Sequence, residues 1–118
     1  MITNFELITS ELNDDEKKLV PILIKGFVSH KSSNPIKAPE IIKAINNGKY
    51  VSSVFSEARL RKISNFIRSE GIIPLIATSK GYYVSYDKNE IEAQIKSLNE
   101  RAESIIHSAN GLKKFLDK

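Results

Sequence analysis

The stretch Ser56–Tyr86, SEARLRKISNFIRSEGIIPLIATSKGYYVSY, restricts the fold more than any other part of this chain. It places an amphipathic helix directly ahead of two β-rich runs, with Gly71 between them. Ser56 is a good N-cap, because its hydroxyl can accept from a backbone N–H one turn in. Phe55 and Leu60 then have the N′ and N4 spacing of a hydrophobic staple. Arg59 takes the N3 place where a full capping box would have an acid. Leu60, Ile63 and Ile67 form an apolar stripe with Phe66 at its flank. At about 100° per residue, the opposite side carries Ala58, Arg61, Lys62, Asn65 and Arg68, with Arg59 on the shoulder. Gly71 suits the left-handed position that ends such a helix.

The β-rich runs are Ile72–Thr78 and Tyr82–Tyr86, separated by Ser79-Lys80-Gly81. Pro74 keeps the first run at a sheet edge or a strand start. Gly81 supplies the positive φ of a three- to five-residue hairpin loop with a bulge. Tyr82, Tyr83 and Tyr86 have two readings, stacking on bases or packing across the strands, and packing is the commoner one.

Charge is concentrated in the same part of the chain. Net charge is +4, with 18 Lys plus Arg against 14 acids. Residues 1–38 and 81–118 each balance to zero, and residues 39–80 hold seven cations and three acids. Three of the four arginines, Arg59, Arg61 and Arg68, lie in the one helix. A guanidinium can bond two acceptors at once, on guanine or on a phosphate, where an ammonium acts as a point charge. A cationic patch on a balanced chain attracts phosphate without making the whole surface adhesive. The plainer reading of the same residues is a solvated helix face.

The remainder of the chain frames this stretch. Residues 1–12 form an arm or an extra strand. Asn13 caps a helix whose first turn holds Asp14, Asp15 and Glu16, facing the positive helix end. That helix runs from about Asp14 to His30, with a kink at Pro21. Ser32–Pro35 is a loop, and Ile36 opens a short strand that joins the hairpin. Pro39 takes the first position of the next helix, which buries Ile41, Ile42 and Ile45 and stops at Asn46-Asn47-Gly48. Lys49–Ser53 is the turn into the Ser56 helix, where Lys49 and Tyr50 either touch phosphate or simply form a loop.

Asp87 and Glu90 then open a long helix with a D-x-x-E capping box. Along it Ile91, Ile95, Leu98, Ala102, Ile105, Ala109, Leu112 and Leu116 alternate spacings of four and three. This a/d repeat buries a narrow seam against another helix. Asn110-Gly111 is its weak point, ending or bending the helix. The seam through Ile91, Ile95, Leu98, Ala102, Ile105, Ala109 and Leu112 either forms a homodimer or packs back on the chain's own first helix. A length of about 35 Å favours the homodimer.

The fold class expected is α+β, mainly α: a winged helix-turn-helix with a long C-terminal helix. Its parts are an arm at 1–12, the winged domain at 13–87 and the long helix at 88–118. Helix, turn, helix and hairpin in that order are how such a domain meets DNA. No run approaches the roughly 18 apolar residues of a membrane span. The N-terminus lacks a signal-peptide pattern, and the chain has no cysteine, so a cytoplasmic protein is expected. His30 and His107 are far apart, with no nucleophile–base or phosphate-loop signature, which argues against an enzyme and against a metal or cofactor. The acids Asp14–Glu16 are read as helix-terminal acids.

The segments SEARLRKISNFIRSEG and IIPLIATSKGYYVS, with the following long helix and its NGLKKFL end, resemble small winged-helix proteins encoded by phages and prophages. The likeness covers about two-thirds of the chain and leaves the arm outside it. It implies a DNA-binding regulatory or replication-associated protein working through Arg59, Arg61, Lys62 and the Ser79-Lys80 loop. The expected nucleic-acid contacts are Ser56, Ala58, Arg59, Arg61, Lys62, Asn65, Arg68, Ser79 and Lys80, and the expected partner is double-stranded DNA, bound by a homodimer. No membrane and no small-molecule substrate are expected. The competing reading is a winged-helix adaptor that binds another protein through its last helix. An antitoxin-like or inhibitory role would leave few traces in sequence.

Overall fold

In the computed structural model residues 11–116 are described. They form helices α1 (Asp14–Phe27), α2 (Ala38–Gly48) and α3 (Glu57–Ser69), strands β1 (Leu75–Thr78) and β2 (Gly81–Val84), and helix α4 (Lys88–Lys113). The class is α+β and mainly α. The chain divides into two compact units between Ser85 and Tyr86. Of the expected arm, residues 1–10 lie outside the described range.

The first unit is built on one apolar cluster. α1 contributes Leu19, Leu23 and Phe27, and α2 contributes Ile41 and Ile45. Phe55 and the α3 residues Leu60, Ile63 and Ile67 complete its centre, with Leu75 and Val84 from the hairpin and Leu12 from the chain ahead of α1. Each side chain of this size stabilises by about 1.5–3 kcal/mol when fully buried. The staple anticipated at Phe55 and Leu60 is seated there, both residues being almost inaccessible.

Local chemistry sets the helix boundaries. Asn13 and Glu16 form a reciprocal capping box at the start of α1. The helix passes through Pro21 and ends at Phe27, short of His30. Pro21 and Lys17 are both exposed, so the Lys17 carbonyl, left without its usual donor, can face water. In α2, Pro39 takes the second position rather than the first, because Lys37 is the N-cap. Ile42 is only partly buried. Lys49, at φ 53°, holds the left-handed position at the end of α2. A Cβ at Gly48 would fall 2.2 Å from the Tyr50 ring, an exposed side chain that is free to swing aside. α3 ends in a Schellman motif, with Ile72 N–H bonded to Ile67 O at 3.1 Å and Gly71 N–H to Arg68 O at 3.0 Å.

The hairpin is antiparallel, pairing Leu75 with Val84, Ile76 with Tyr83, Ala77 with Tyr82 and Thr78 with Gly81. Only Ser79 and Lys80 lie between the last paired residues, so the tip is tighter than the three to five residues expected. Pro74 stands just ahead of β1, where its missing N–H breaks no ladder bond. Ile36 forms an isolated bridge to Tyr82, exchanging bonds of 2.9 and 2.7 Å. It is the third segment anticipated from the sequence, reduced to one residue. Gly81, at φ 130°, is fixed by this neighbour, since a Cβ would fall 2.5 Å from Ile36 O.

In the second unit Asp87 caps α4, accepting from the backbone N–H groups of Asn89 and Glu90. Of the two expectations at Asn110-Gly111, an end or a bend, the end is not realised: the helix runs on through the pair to Lys113. Among the described residues no helix is long and apolar enough to cross a membrane.

Candidate nucleic-acid interface

The side chains expected on the outer face of α3 divide into two groups. Lys62 belongs to the interior. It is 6% exposed, and its Nζ lies 2.7 Å from Glu16 Oε1, which is itself 2% exposed. This corrects the expectation of a nucleic-acid contact at Lys62, and the reason is angular. Lys62 projects next to Phe66 and Arg59 rather than next to Arg61, so the buried arc of α3 is wider than its apolar stripe. Arg59 is drawn the same way: its Nε lies 3.7 Å from Glu16 Oε2, and its guanidinium donates to Ser53 Oγ.

Glu16 thus does three things at once. Its Oε1 accepts from the Asn13 backbone N–H at 2.9 Å and from Lys62, while Oε2 faces Arg59. Burial pushes this carboxyl upward. The hydrogen bonds from Lys62 and Asn13 and the two cations outweigh that, holding it below its ordinary value. The first turn of α1 is therefore clamped to α3 by a charged knot. The sequence contained only half of its signal, the N-x-x-E spacing at Asn13–Glu16. The partner Lys62 is 46 positions away.

The second group is less buried. Arg61 and Asn65 are exposed, and Ala58 and Arg68 are half-buried. Arg61, Asn65 and Arg68 stand at i, i+4 and i+7, one line along the helix. Arg61 Nη2 bonds Glu57 Oε1 at 2.8 Å in an exposed pair, an interaction worth at most about 1 kcal/mol and open to replacement by a phosphate. Ser56 accepts from Arg59 N–H at 3.3 Å, so its hydroxyl is engaged in the cap.

The hairpin adjoins this line through Tyr82. The phenol sits within the electrostatic reach of Arg68, Arg61 and Glu57, beside the buried hydroxyl of Ser64. Burial raises its pKa against the opposing pull of Arg68. Its ring stacks on Phe27 at 5.6 Å, so Tyr82 belongs to packing. Tyr83 is buried too, whereas Tyr86 is exposed. At the tip the Lys80 N–H donates to Thr78 Oγ1 at 3.1 Å, and Ser79 and Lys80 are exposed.

A further contact supports α3 from behind. Asn46 bonds the Phe55 backbone twice, accepting from its N–H at 2.8 Å and donating to its carbonyl at 3.1 Å. This closes the Lys49–Ser53 turn and sets the angle at which α3 begins. Lys49 and Tyr50 are exposed within it.

On α4 the apolar seam faces outward. Ile95 is 52% exposed, Ile105 48% and Leu112 68%, with Leu98 at 36%. Ala102 and Ala109 are exposed as well, and Ile91 is half-buried. Elsewhere, a groove of about 670 Å³ lies between α1 and α2, lined mainly by Ile22, Phe27, Ile36, Ile41, Ile45 and Tyr50. Comparisons with protein-family models, with curated proteins and with solved structures give no match.

Proposed function

We propose that this chain is a double-stranded DNA-binding protein of the winged helix-turn-helix type, acting in regulation or replication as its phage-type resemblance implies. The observation that carries the reading is the line Arg61, Asn65, Arg68 on α3. Two cations of that helix are held by Glu16, whereas Arg61 and Asn65 are exposed and Arg68 is half-buried near Tyr82. Their spacing fits one pass along a major groove, where arginine and asparagine read guanine and adenine edges. The exposed Ser79-Lys80 tip lies at the end of the strand that follows α3 and supplies backbone contacts. The order of α1, the Ile36 bridge, α2, α3 and the hairpin supports the same reading. Lys62 is withdrawn from the contact set.

The test is a fluorescence-anisotropy titration against duplex and single-stranded DNA at two salt concentrations. Arg61→Ala weakens duplex binding tenfold or more, and affinity falls steeply with salt. Binding indifferent to both the substitution and salt would remove DNA from the account.

In this reading α4 joins two copies of the chain. The exposed seam of α4 also favours a second reading, an adaptor whose last helix engages a different protein. Light scattering separates them: a stable dimer supports the first and a monomer the second.

A further inference from the structure

The seam on α4 holds information about direction as well as about association. Ile95, Leu98, Ala102, Ile105, Ala109 and Leu112 are separated by 3, 4, 3, 4 and 3 positions. That order reads the same from either end. Two copies laid head to tail along this seam therefore bring each of the six level with another of the six. Ile95 meets Leu112 of the second copy, Leu98 meets Ala109, and Ala102 meets Ile105.

Side-chain size decides between the two directions. In a parallel pair every layer holds the same residue twice, so Ala102 and Ala109 produce two layers of alanine on alanine. Such layers leave space that neighbouring leucines and isoleucines cannot fill without moving, and apolar contact is lost. In the antiparallel pair each alanine faces a Leu or an Ile, and no layer lacks a large side chain. Charge agrees with size. Glu92 and Lys113 flank the seam on the same side and are both exposed. Antiparallel pairing brings each close to the other's copy, twice by symmetry. Parallel pairing leaves them 21 positions apart, about 31 Å along the axis.

We infer that α4 binds a second copy of this chain as an antiparallel helix pair, centred between Ala102 and Ile105. This rests on the dimer reading above and adds the orientation. Asn110 and Gly111 fall on the outer side of the pair, which is why a weak helix-forming dipeptide is tolerated there.

The chain has no cysteine, so introduced thiols are unique probes. Ile95→Cys and Leu112→Cys full-length proteins are prepared separately, mixed, allowed to exchange subunits and oxidised. In the antiparallel pair, the Leu112→Cys thiol of one copy lies about 26 Å from the same thiol of the other, beyond disulfide reach. The expected result is a covalent dimer from the mixture and none from either variant alone. Covalent dimers formed by each variant alone would overturn the orientation and leave the dimer standing. A monomer by light scattering of the unmodified protein would overturn both. Where the thiols disturb association, a nitroxide on Lys113→Cys reads the same geometry from an exposed position. A separation of about 28 Å supports the pairing, and one near 10 Å overturns it.

Discussion

α3 and α4 depart from what their amphipathic patterns imply in opposite ways. On α3, a lysine and an arginine that periodicity assigns to the outside are turned inward onto a buried carboxylate. On α4, the isoleucines and leucines that periodicity assigns to the inside stand in solvent. Both helices have the amphipathic pattern their sequences announce. The pattern identifies two faces of a helix and says nothing of what lies opposite each. For α3 the chain itself supplies an acid from 46 positions away, which turns a surface lysine into part of the interior. For α4 the proposed second copy is what the apolar face lacks.

The largest effect that sharpens this contrast is at Glu16. Glu16→Gln leaves the Lys62 ammonium buried without a counter-charge, and is expected to lower stability by about 3–5 kcal/mol in urea unfolding. The paired replacement Glu16→Leu with Lys62→Met should recover most of that, since a packed apolar pair is often as stable as a buried ion pair. Recovery would show that the knot positions α3 more than it stabilises the unit.

Next comes a matched pair of truncations. Ile63→Ala, in the core, should cost about 2–5 kcal/mol. Ile105→Ala, on the exposed seam, should leave unfolding of the dilute protein within about 0.5 kcal/mol. Equal losses at both sites would break the comparison, because Ile105 would then be supporting the isolated chain.

Two smaller effects follow. Asn46→Ala removes both bonds to Phe55 and should destabilise by about 1–2 kcal/mol. It should also weaken the proposed DNA binding, as α3 loses its fixed starting angle. The last is a pH effect. Glu16 has a folded-state pKa below its unfolded one, so its stabilisation is complete above the ordinary carboxylate range of about 4–4.5. It is lost as pH falls through the lowered folded value. Acid unfolding of the Glu16→Gln variant should therefore show a shallower dependence on pH over that range.

Much of the first unit was legible in the sequence because its signals are local. The Asn13 and Ser56 caps, the Phe55–Leu60 pair, the stripe through Ile63 and Ile67 and the turn at Gly71 each depend on neighbours within a few residues. The Ile36 segment was legible too, although it makes a single bridge. What could not be read depends on chain segments that meet only after folding. The helical period sets Lys62 beside Phe66 and Arg61 farther round, but nothing near Lys62 in sequence announces its partner Glu16, 46 positions away. Gly81 has the positive φ expected of it at the hairpin tip, but its close approach to the carbonyl of Ile36 was not legible, because Ile36 is distant in sequence. In the candidate interface Arg61, Asn65 and the Ser79-Lys80 tip keep the exposure expected of them. Arg59 and Arg68 keep part of it, and Lys62 is buried.

The bridge between Ile36 and Tyr82 has a mechanical consequence. Its two hydrogen bonds fasten the hairpin to the peptide that leads directly into α2, with Gly81 pressed against the same carbonyl. The ribbon cannot swing as a free flap, because any displacement pulls on the entry to the neighbouring helix. The bridge stands two residues from Ala38, the first residue of α2, so ribbon and helix entry are tied to each other.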